Sequence, residues 1–62
     1  MHDIRNILIL EDQAETRASL VALVAGCFPQ AQISEAATLH AARAHLWNKP
    51  VDLALVEFFS SS

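Results

Sequence analysis

Two short apolar runs, each closed by a carboxylate, constrain this chain more than any other feature. Ile7-Leu8-Ile9-Leu10 ends in Glu11-Asp12, and Leu53-Ala54-Leu55-Val56 ends in Glu57. Unbroken apolar runs of this length suit strands buried on both faces, as in a parallel sheet. Ligand sites in open α/β sheets lie beyond the carboxyl ends of the strands. If the two runs are neighbouring parallel strands, about 4.8 Å apart, three acidic side chains meet at one edge. Crowded carboxylates repel unless a proton or a cation intervenes. A hard divalent ion such as Mg²⁺ is therefore the expected guest, bound weakly because the ligands are few.

The residues between the runs alternate in period. Arg5 to Leu10 reads as a first strand. Asp12 is a candidate helix N-cap, with Glu15 three positions on as in a capping box. From Ala14 to Phe28 the pattern is helical, with Leu20, Leu23, Val24 and Cys27 at i, i+3, i+4 and i+7; Gly26 and Pro29 bracket its end. Gln30 to Glu35 is a short second strand. Thr38 is a plausible cap for a helix from Leu39 to about Trp47, with Leu39, Ala42 and Leu46 as its apolar stripe. Lys49-Pro50 ends that helix, because the residue before a proline is pushed out of the helical region. A third strand lies within Val51 to Phe59, and Ser60-Ser61-Ser62 is a polar tail. The order β-α-β-α-β implies an α/β fold with right-handed crossovers and a parallel sheet.

Size makes the apolar content informative. At 62 residues the chain is one small domain. A domain of that size buries only roughly 60% of its unfolded surface. Yet 53% of its residues are apolar and the mean hydropathy is +0.30. That excess points to a piece of a larger domain or to a subunit of a homo-oligomer. The net charge of −3 and the lack of a basic cluster argue against nucleic acid and anionic lipid as partners. No apolar run approaches the ~18–20 residues of a membrane span. Cys27 is the single cysteine, so no internal disulfide forms; it is expected as a buried, inert thiol in a reducing, cytoplasmic setting.

Taken together, Ile7 to Asp12, then Arg17 and Leu20, then Glu35-Ala36, then Pro50-Val51-Asp52-Leu53-Ala54-Leu55-Val56-Glu57, resemble the first half of a bacterial response-regulator receiver domain. The resemblance runs from about residue 5 to 57 and leaves 58–62 as an atypical tail. It implies a truncated doubly wound, flavodoxin-like sheet with strand order 2-1-3, the start of the family's 2-1-3-4-5. It also implies a role in two-component phosphorelay signalling, with a sensor histidine kinase as partner. In such a receiver the acidic pair holds Mg²⁺ and an aspartate ending the third strand accepts the phosphoryl group. By position Glu11 and Asp12 match the pair, Glu57 matches the acceptor, and the backbone carbonyl of Phe59 matches the remaining protein ligand.

Three departures shape the functional expectation. Position 57 is Glu, and one added methylene displaces the carboxylate by more than ~1 Å, to which in-line attack is sensitive. The family's Ser/Thr and Lys on strands four and five, which stabilise phosphoryl charge, have no counterpart. After Val56 the likeness stops at once, as at a reading-frame change, a deliberate truncation or an engineered junction. The expectation is a truncated receiver module without phosphotransfer and without enzymatic activity. The alternatives are a self-associating α/β module lacking signalling chemistry, and a receiver phosphorylated at Glu57 when completed by another chain. A third strand left as an open apolar edge is expected to pair with a second copy.

Other reactive residues carry less. His40 and His45 lie about 140° apart around a helix, so they share no face as metal ligands and are expected in solvent. Trp47 is expected as a partial cover over the core. Gly26 is the single glycine, which leaves no Gly-rich loop to cradle phosphate.

Overall fold

A computed structural model describes residues 3–57, so the expectations for Phe58, for the Phe59 carbonyl and for the serine tail lie outside the described residues. The elements run β1 (Asn6–Glu11), α1 (Ala14–Cys27), β2 (Gln32–Ala36), α2 (Leu39–Asn48) and β3 (Leu53–Glu57). The three strands form one parallel sheet in the order β2-β1-β3. This is the α/β fold and strand order that the sequence implies.

The apolar run makes β1 the central strand. Ile7, Leu8, Ile9 and Leu10 are all buried, as four consecutive apolar residues require when both pleat faces are covered. On one face Ile7 and Ile9 pack with Val24, Leu20 and Val21 of α1, with Phe28 just after it, and with Leu53 and Leu55 of β3. On the other, Leu8 and Leu10 pack with Ala36, Ala42 and Val51. At roughly 1.5–3 kcal/mol for each large side chain buried, this strand anchors the fold.

The two helices begin differently. Thr38 caps α2 as expected: its Oγ1 accepts the Ala41 N–H at 3.0 Å. Asp12 does not cap α1. The N-cap is Gln13, which makes no side-chain capping bond. The reason is that β1 runs one residue further than expected, its pairing with β3 carrying through to Glu11. Asp12 and Gln13 are then spent on the turn. Glu15 sits in the first helical turn, where negative charge is favoured by the helix dipole. At the other end Phe28 N–H closes on Val24 O, and Ala31 N–H reaches Phe28 O over Pro29.

The helix faces also differ from the expected stripes. Leu20, Val21 and Val24 of α1 face the sheet, as does Phe28 just after it. Leu23 is 65% exposed and Cys27 is exposed, not buried. From Leu20 to Cys27 every residue is apolar or glycine, so two overlapping stripes are available, and docking against β1 and β2 selects one. In α2 Ala42 alone of the expected stripe is buried; Leu39 and Leu46 are more than half exposed. Trp47 is 90% exposed, not a cover: five residues after the buried Ala42, it lies about 140° around α2 from the docked face. His45 is half-buried, rather than solvated like His40. Among the described residues no helix is long and apolar enough to cross a membrane.

Candidate functional site

The carboxyl ends of the strands gather acidic residues unevenly. Glu11 and Glu57 are register partners on β1 and β3. Partners across a parallel pair share a face of the sheet, so both side chains leave on the side that α1 covers. There their environments diverge. Glu11 is fully buried, whereas Asp12 and Glu57 are exposed. One more acidic residue joins from β2: Glu35 pairs with Ile9 and so lies on the same face.

Glu11 is held at both its side chain and its backbone. Its Oε2 accepts the Gln13 N–H at 3.0 Å. Its backbone carbonyl accepts Arg17 Nη1 at 2.8 Å. Arg17 in turn holds Glu35 Oε1 through Nε at 3.2 Å. Arg17 therefore ties the end of β1 to β2 from the first turns of α1. Its side chain is only 20% exposed, which makes the arrangement better fixed than an ordinary surface pair. The sequence shows Arg17 on a helix next to an acidic pair but gives no hint that its partners are a carbonyl and Glu35.

The remaining oxygen of Glu11 is the chemically telling atom. Oε1 is buried and, among the described residues, has no hydrogen-bond partner. A buried polar atom left unpaired costs roughly 1–3 kcal/mol, more for a charged group. Such an atom calls for a donor or a cation. A hard cation with oxygen ligands satisfies it, so the donor set of Glu11, with Asp12 beside it and Glu57 on the next strand, fits Mg²⁺ chemically. The fit is partial. Among the described residues no group of three or more His, Cys, Asp or Glu side chains is placed to hold a metal ion. The exposed Asp12 and Glu57 carboxylates would have to turn toward Glu11.

Elsewhere the surface offers an open cleft at the opposite end of the sheet, lined by Arg5, Phe28, Gln30 and Gln32 among others. It lies at the other end of β1 from the acidic corner, with the Cys27 thiol and Asp3 on its wall. No family model, curated protein or solved structure matches the chain. The functional reading therefore stands on the acidic corner alone.

Proposed function

We propose that this chain is a receiver-like module of two-component phosphorelay signalling that does not itself carry out phosphotransfer. The observation that supports it best is the register pair Glu11 and Glu57 at the carboxyl ends of neighbouring parallel strands, with the Glu11 Oε1 buried and unpaired among the described residues. Glu11 and Asp12 would hold Mg²⁺ weakly, with Glu57 as a further ligand. The ion would supply positive charge where a phosphoryl group's oxygens sit. The protein's own part is to fix Glu11: Gln13 N–H holds one carboxylate oxygen, and Arg17 fixes the backbone carbonyl. Glu57 stands where the acceptor carboxylate of a receiver stands, one methylene too long for well-aligned in-line attack. A sensor histidine kinase is the partner on this reading, in the cytoplasm.

The test is Mg²⁺ titration by calorimetry on the wild type, Glu11→Gln and Asp12→Asn. Weak binding by the wild type that is lost in Glu11→Gln and weakened in Asp12→Asn is expected. Equal heats in all three proteins reject the site. Treatment with a small phosphodonor and Mg²⁺, followed by intact-mass spectrometry, checks the second half of the proposal. An acid-labile adduct on Glu57 would show a working acceptor instead.

A further inference from the structure

The unpaired edge of β3 stands apart from the acidic chemistry. Among the described residues β3 pairs only with β1, and no Cα of α1 or α2 lies within 8 Å of it. Its two outward-facing side chains on the α2 side, Ala54 and Val56, are exposed, Val56 by 53%. An apolar edge strand with free backbone groups and no charge before its last residue is a template for strand addition.

We infer that two copies of this chain join β3 to β3 in antiparallel fashion about a two-fold axis through Leu55, making one six-stranded sheet in the order 2-1-3-3-1-2. Three features of β3 select a second copy in this arrangement. First, the axis stands perpendicular to the sheet, so each face of one sheet continues as the same face of the other, with Leu53 and Leu55 kept on the α1 side. Second, the pairing is self-complementary: Leu55 meets Leu55, Ala54 meets Val56, a small residue against a branched one, and Leu53 meets Glu57. Third, the charges separate. Four residues at about 3.4 Å each put the two Glu57 carboxylates about 14 Å apart, beyond a Debye length of about 8 Å. Glu57 borders the seam, but the pairing rests on the backbone edge and on Leu53 to Val56, so the dimer does not depend on the phosphosignalling reading.

The register gives a direct test, because Ala54 and Val56 are exposed and their substitution leaves the core of one copy intact. In A54K/V56E, a lysine at position 54 faces a glutamate at position 56 of the other copy, twice across the seam. In A54K/V56K, lysines face lysines at the same places. Sedimentation equilibrium at tens of micromolar, with circular dichroism to confirm folding, should show a dimer for the wild type and for A54K/V56E. A54K/V56K should be monomeric, its dissociation constant raised at least tenfold over A54K/V56E. A folded wild-type monomer overturns the inference, as does equal association of the two double variants. If both doubles unfold, Val56→Lys alone, with a single lysine facing Ala54, replaces them: unchanged dimerisation then overturns the inference and weakened dimerisation supports it.

Discussion

Asp52 and Asn6 grip one another at the start of the sheet through both backbone and side chain. The Asp52 N–H donates to the Asn6 carbonyl at 2.8 Å, and Asp52 Oδ2 accepts the Asn6 N–H at 2.9 Å. The same oxygen accepts the Arg5 N–H at 2.9 Å. A single carboxylate thus satisfies two donors where β1 begins, and it fixes where β3 enters beside that strand. It works at the end opposite to Glu11, so the two ends of β1 are closed by different acids.

Asp52→Ala should therefore destabilise the fold by about 1.5–3 kcal/mol, the scale of hydrogen bonds to a charged group. For a domain this small that is a large fraction of its total stability. Asp52→Asn keeps an acceptor oxygen but loses the charge, and should fall between wild type and Asp52→Ala. Urea unfolding followed by circular dichroism measures the difference. An Asp52→Ala midpoint equal to wild type would mean that the contact is only geometric.

The helix starts make a paired prediction. Thr38→Ala removes the hydroxyl that accepts the Ala41 N–H and should cost ~1 kcal/mol. Asp12→Ala removes no cap and should change stability by less than about 0.5 kcal/mol, as surface substitutions usually do. Thermal melts of both in the presence of a chelator, which removes any contribution from metal, decide it. A larger loss in Asp12→Ala than in Thr38→Ala would restore Asp12 as the cap.

The docked face of α1 makes another. Val24 is buried against Ile7 and Ile9, and Leu23 beside it is exposed. Val24→Ala should cost roughly 1–3 kcal/mol through lost burial and the cavity left behind. Leu23→Gln should stay within about 0.5 kcal/mol. Urea midpoints of the two variants would be reversed if the helix docked through its Leu23 and Cys27 side.

Much of this architecture is legible in the sequence, because its signals are local. Four consecutive apolar residues in β1 can be buried only by covering both faces, and that alone makes it a central strand. Thr38 and Lys49-Pro50 set the ends of α2 through interactions within a few residues of chain. Alternation of strand and helix periods then leads to a parallel three-stranded sheet. The carboxylates that close β1 and β3 are equally visible, and parallel strands bring Glu11 and Glu57 into register.

Which surfaces are buried was decided only by tertiary packing. An α1 that is apolar almost all round offers two stripes of equal quality, so periodicity cannot choose between Val21 with Phe28 and Leu23 with Cys27. The outcome depends on how the helix sits over β1 and β2. Trp47 has the character of a core residue but lies about 140° around α2 from the buried Ala42, on the side turned away from the sheet. The fates of the acids are likewise non-local. Glu11 is buried and Asp12 exposed because β1 extends one residue through pairing with β3, and Asp52 finds Asn6 across α1, β2 and α2. A sequence window holds backbone propensity and residue type; burial and partnership belong to contacts between segments far apart in the chain, and those exist only once the sheet has assembled.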